Sequence, residues 1–242
     1  MTKIMFVSDM HGLSPVKLVK REIKNNGVEK LVCLGDYDTP EVLRDIRRLK
    51  LPKVLIVGNH DFHYVHNLGI RSENMHGSWE EYVKLWIKNP TEKSFIERAI
   101  KGNSIKRRNT CSGLVVEDIF DRLKVSYSHA SIVDGGSPVS EAPGYVWARF
   151  RDSLNILQNF VRMNERNIGI MFRGHDHISY SGGVPINGLT EARNINDLFS
   201  MARAVVLDKN KRYIISVGAF IDAEYALFDT NSMRLEFKFG IS

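Results

Sequence analysis

The chain has 242 residues, 43% of them hydrophobic, with 34 Lys and Arg against 28 Asp and Glu for a formal charge of +6. That is enough apolar material for one core, so a single domain over residues 1–242 is expected. Two cysteines exclude a disulfide framework and point to a reducing, cytoplasmic setting, and no apolar run approaches the roughly 18 to 20 residues of a membrane span. The positive balance favours anionic partners without naming one.

In chain order, residues 4–7 read as a strand, 15–25 as a helix, 30–34 as a strand, 40–49 as a helix and 54–57 as a strand. Pro15 and Pro40 suit a first helical turn, and Asn26-Gly27 stops the first helix. These are βαβ units with parallel strands. Residues 62–113 leave that rhythm and read as a helical insertion, with Ser78 capping Trp79–Lys88 and Thr91 capping 92–100. Its basic tail, 101–108, reads as a solvated loop, the alternative being a contact with substrate phosphate.

Residues 114–120 and 123–128 form a predicted hairpin, 134–144 a loop, 146–166 a helix and 168–172 a buried strand. The segment 179–196 is loop-like. Residues 204–207, 213–217, 225–228 and 235–239 read as consecutive antiparallel strands.

Five of these apolar runs end in groups able to hold metal. Asp9 and His11 follow the first, Asp36 the second, Asn59 with His60 the third, His129 the hairpin, and His175 with His177 the strand 168–173. Groups at the carboxyl ends of neighbouring strands in an α/β sheet converge on one crevice. Seven carboxylate, amide and imidazole ligands exceed what one divalent ion needs, which argues for a two-metal hydrolytic centre.

Asp9-Met10-His11, Gly35-Asp36, Gly58-Asn59-His60-Asp61, His129 and Gly174-His175-Asp176-His177 resemble, in order, the pattern of the calcineurin-like metallophosphoesterase superfamily. The resemblance implies an α/β fold: a four-layer α/β/β/α sandwich of two mixed β-sheets flanked by helices, here with a helical insertion after Gly58-Asn59-His60-Asp61. It also implies two metal ions bridged by one carboxylate and a water. By motif position Asp9, His11 and His177 hold the first metal, Asp36 bridges, and Asn59, His129 and His175 hold the second. Mixed oxygen and nitrogen ligation admits Mn, Fe or Zn, with Mn favoured.

By the same resemblance His60 faces the substrate and protonates the leaving oxygen. The protein-phosphatase branch places an Asp three residues after the bridging one. Here that position is Thr39, with the acid at Asp38, so either Asp38 or Asp61 orients His60. That branch also carries an Arg soon after its GD element, which this chain lacks; Arg149, Arg151 and Arg173 are the candidates for gripping phosphate oxygens. His63 and His66 read as partly exposed rim residues, and Asp176 as an acid orienting an imidazole.

The expected activity is hydrolysis of phosphate esters by in-line attack of a metal-bridging hydroxide. A phosphomonoesterase acting on phosphoprotein or nucleotide leads, in the flavour of the protein phosphatases and dinucleotide tetraphosphatases. A phosphodiesterase or nuclease is the alternative, so nucleic acid is admitted as a partner but not required. A non-catalytic scaffold is the competing class, disfavoured because His60 and all seven ligands are present. The sequence does not fix the oligomeric state.

Overall fold

The computed structural model describes residues 2–66, 79–102, 109–134, 144–147, 153–185, 199–200 and 202–240. The chain begins with β1 (Lys3–Val7), α1 (Val16–Asn26), β2 (Lys30–Cys33), α2 (Pro40–Arg48) and β3 (Lys53–Ile56). Pro15 occupies the N-cap position of α1, which begins one residue later than the sequence suggests, and Gly27 ends it in the left-handed region at φ 67°. Thr39 caps α2 by accepting from the Val42 amide, with Pro40 in the first turn.

There follow α3 (Asn59–His66), α4 (Trp79–Lys88), α5 (Pro90–Ile100), β4 (Thr110–Gly113), β5 (Val115–Phe120) and β6 (Leu123–Ser128). The remainder comprises α6 (Gly144–Trp147), α7 (Ser153–Glu165), β7 (Ile170–Arg173), β8 (Ser179–Pro185), β9 (Phe199–Ser200), β10 (Ala204–Val206), β11 (Lys211–Val217), β12 (Glu224–Asp229) and β13 (Arg234–Phe239).

Two mixed sheets result. The first has the order β10-β13-β12-β1-β2-β3-β4, the second β5-β6-β7-β11-β8-β9. Alternation along β1 shows why they stack: Ile4 and Phe6 enter the core between the sheets, while Met5 and Val7 join the core beneath α1 to α5. On β7, Ile170 and Phe172 face the same central core, and Met171 packs with Ile156, Phe160 and Met163 of α7. The Phe6 and Phe172 rings stack across the sheets with centroids 4.0 Å apart. Helices therefore cover both outer faces, giving the four layers expected.

Four local expectations are corrected. Thr110–Gly113, inside the insertion, is a strand that extends the parallel ladder beside β3. Ser179–Pro185, expected as loop, is β8, paired antiparallel to β11 along its full length. The last strands do not run consecutively in one sheet: β11 lies parallel to β7 in the second, whereas β12, β13 and β10 complete the first. Asn89, not Thr91, sits at the cap position of α5. The expected helix 146–166 is described as α6 and α7. The Ser78 cap and residues 103–108 lie outside the described residues.

Candidate metal centre

The loops that leave β1 and β2 are zipped together by backbone. Asp9 N donates to Gly35 O at 3.2 Å, and the Met10 and His11 amides both donate to Asp36 O at 3.0 Å. On the other sheet Gly174 N donates to His129 O at 2.9 Å. Side chains cross between these loops: Asp36 Oδ1 accepts from the His60 amide and Asp9 Oδ2 from the His175 amide, each at 3.0 Å. Five segments distant in sequence thus become one wall.

The backbone bends sharply to present these groups. Asp9, His11, Asp36, Asp38, His175 and His177 all have positive φ, between 43° and 70°. Such conformations are uncommon outside glycine and cost about 1–3 kcal/mol each, so their concentration here marks a functional site. Gly174 is required for close approach, because a Cβ there would meet Ser8 Oγ and lie 2.7 Å from Asp9 Oδ2.

Two donor groups lie side by side. Asp9, His11 and His177 form one, with His11 Nε2 3.3 Å from His177 Nε2 and His177 Nε2 3.5 Å from Asp9 Oδ1. In the other, Asn59 Oδ1 lies 2.8 Å from His129 Nε2 and 3.0 Å from His175 Nδ1, the two imidazoles being 3.2 Å apart. Asp36 Oδ2 is 3.5 Å from His129 Nε2, and Asp9, Asp36 and His129 make a third cluster that joins the two groups.

The protons on these groups are placed to suit a cation. Leu34 O can only accept, so His129 Nδ1 donates to it at 2.6 Å and Nε2 presents a lone pair toward the Asn59 oxygen. Burial pushes the His129 imidazole down to about 3, keeping it in the neutral form that ligates metal. His11 likewise donates through Nδ1 to Asp38 Oδ2 at 3.0 Å, turning Nε2 toward His177. Burial, together with the neighbouring Asp9, raises Asp36 well above the ordinary carboxylate range. Against burial, His129, His177 and His11 hold Asp9 below it. Lone pairs and carboxylates brought this close in a largely buried site fit divalent cations with oxygen and nitrogen preferences.

Asp38 grips two rings at once. Its Oδ1 lies 2.9 Å from His60 Nδ1 and its Oδ2 binds His11. Although burial opposes its charge, the His60 and His11 imidazoles bring its carboxyl down to about 2. Asp38 in turn raises His60 despite the ring's burial. Asp61 is used differently: it accepts from the backbone amides of Asp36, Tyr37 and Gly58 at 2.9 to 3.0 Å and fixes the loop. Burial pushes it up to about 7 against those amides.

Arg173 is fully buried. Its Nε donates to Ala130 O at 2.6 Å, and its Nη1 meets Asp176 and the Tyr180 hydroxyl. These contacts tie the guanidinium to protein groups, and they give Asp176 an arginine partner. Arg149 and Arg151 lie outside the described residues. His63 is buried, not rim-exposed, whereas His66 is exposed.

Two neighbours escaped the sequence reading. Trp86 Nε1 donates to Asp38 O at 2.9 Å from 48 residues away, and no local signal marks it. Tyr64 meets the His60 ring edge-on with centroids 6.0 Å apart; its i+4 spacing from His60 on α3 was the available clue.

The sequence of residues 2–185 matches the family model described as the calcineurin-like phosphoesterase superfamily domain. The chain belongs to the calcineurin-like phosphoesterase superfamily. An uncharacterized protein of Methanocaldococcus jannaschii is 25% identical over 249 residues, covering 96% of this chain and 85% of that one. A Thermus thermophilus structure shares the fold at a TM-score of 0.50 and 10% identity, over 98% of each chain. An archaeal phosphodiesterase, 14% identical, covers 98% of this chain and 99% of its own with a TM-score of 0.48. Membership makes this a phosphoesterase-family chain with candidate metal-binding residues, and no helix among the described residues is long and apolar enough to cross a membrane.

Proposed function

We propose that the chain is a binuclear metal-dependent phosphoesterase that prefers phosphomonoesters of nucleotides or phosphoproteins and acts in the cytoplasm. Asp9, His11 and His177 would hold one cation and Asn59, His129 and His175 the other, with Asp36 between. When bound, two such cations, manganese in the first instance, supply positive charge to phosphoryl oxygens and acidify a water.

The observation that carries the reading is the Asp38 carboxylate bound to His60 Nδ1 at 2.9 Å. It fixes the ring so that Nε2 is the atom left to meet a substrate, and it favours the imidazolium that a proton donor requires. A monoester dianion carries one more negative charge than a diester, and that imidazolium answers it. A scaffold would have no use for an acid histidine held in this way.

The test is hydrolysis of p-nitrophenyl phosphate against bis-p-nitrophenyl phosphate by metal-stripped protein reloaded with Mn, with His60→Ala and Asp36→Asn as controls. Turnover of the monoester, lost in both variants, supports the proposal. Turnover of the diester alone moves the substrate to nucleic acid or cyclic nucleotides. Two bound metals with no turnover of either ester would return the scaffold.

A further inference from the structure

A cleft of about 670 Å³ lies where α2, the end of α4 and the start of α5 meet, and none of the candidate ligands lines it. Arg44, Arg47, Arg48, Lys88 and Arg98 line it, against the single carboxylate of Glu92. Glu92 is itself buried and engaged by Arg44 Nη2 at 3.4 Å and Arg47 Nη1 at 3.5 Å. These pairs orient two guanidiniums without neutralising the group. Arg48 and Lys88 are exposed and form no ion pair among the described residues.

The rest of the cleft has a built character. The Arg47 guanidinium lies 4.6 Å above the ring of buried Phe95, a cation–π contact that stiffens its position. Arg44 is also tied to the Asn89 side chain. The first turn of α5, at Pro90, Thr91 and Glu92, forms part of the lining, and Asn89 makes no side-chain cap there. That turn adds the positive end of a helix to the five cations.

We propose that this cleft binds a small polyanion with several adjacent phosphates, at a site separate from the metal centre. Five cations exceed what one phosphate requires, and guanidinium matches phosphate oxygens in paired geometry. The volume falls within the range of about 300–1,000 Å³ typical of small-ligand sites. Among the described residues these five charges gather at one cavity, the arrangement suited to a compact ligand, whereas a nucleic-acid track needs a basic stripe.

Inorganic tripolyphosphate is the probe, titrated calorimetrically into the full chain and into the Arg48→Glu/Lys88→Glu double variant. Both positions are exposed, and an unchanged melting temperature confirms that the variant folds. Saturable one-to-one binding that weakens at least tenfold in the double variant, with p-nitrophenyl phosphate turnover unchanged, supports the site. Equal binding by both proteins assigns the probe to the metal centre and overturns the proposal, as does absence of binding. A single-stranded oligonucleotide that binds more tightly than tripolyphosphate, and is lost in the same variant, overturns it in favour of a nucleic-acid surface.

Discussion

Asp38 Oδ1 stands 2.9 Å from His60 Nδ1, while the other oxygen of the same carboxylate stands 3.0 Å from His11 Nδ1. One side chain therefore couples the candidate proton donor to a candidate ligand. Disturbing it should affect both.

Asp38→Asn is expected to lower kcat on p-nitrophenyl phosphate by about 10²- to 10⁴-fold, the range of a general acid's contribution. It should also weaken metal affinity about 10- to 100-fold through His11, as loss of a ligand's hydrogen-bond partner does. Kinetics at saturating Mn separates the two effects. An Asp38→Asn enzyme as active as the parent would remove His60 from proton transfer.

Asp61→Ala should behave as a stability mutant. It strips the acceptor from three buried backbone amides, those of Asp36, Tyr37 and Gly58. At roughly 1–3 kcal/mol for each unsatisfied donor, the loss should reach ~3 kcal/mol or more in urea denaturation. A variant of parental stability would show that the loop does not depend on this carboxylate.

Gly174→Ala places a methyl group against Ser8 Oγ and 2.7 Å from Asp9 Oδ2. Overpacking of this kind typically costs about 1–3 kcal/mol. Because the displaced atom belongs to a candidate ligand, metal stoichiometry measured by inductively coupled plasma should fall together with the melting temperature. Full metal content would mean that the loop yields without moving Asp9.

Chelation should lower the melting temperature of the parent, since a cation that binds only the native state stabilises it by about 2.7 kcal/mol at a concentration 100 times Kd. Asp36→Asn should abolish that metal-dependent gain. In the metal-free form the same variant should melt no lower than the parent, because it removes one of the buried carboxylates crowded beside Asp9. A metal-free variant markedly less stable than the metal-free parent would contradict this account of the charge.

The parallel strands β1 to β3 and the groups at their tips were legible because their signals are local. Apolar runs of four or five residues, Pro40 behind the Thr39 cap and Gly27 in the left-handed region each act within a few residues. Strand pairing is not local. Residues 213–217 and 225–228 look alike as apolar runs, yet β11 lies between β7 and β8 in one sheet and β12 between β1 and β13 in the other. Their partners are chosen by which core each face can fill.

The centre divides along the same line. Asp9, His11, Asp36, Asn59, His129, His175 and His177 could be listed from the sequence because each follows a strand or hairpin end. Asp38 and Asp61 could not be told apart, since each is a carboxylate two residues after a candidate ligand. The left-handed turn at Asp38, φ 60°, aims its carboxylate at His60 and His11, while Asp61, in the first turn of α3, is left to gather the backbone amides of the loops. Sequence supplied the chemical groups, and only the folded backbone, by setting their directions, decided which acid meets the His60 and His11 rings and which meets the backbone amides of the loops.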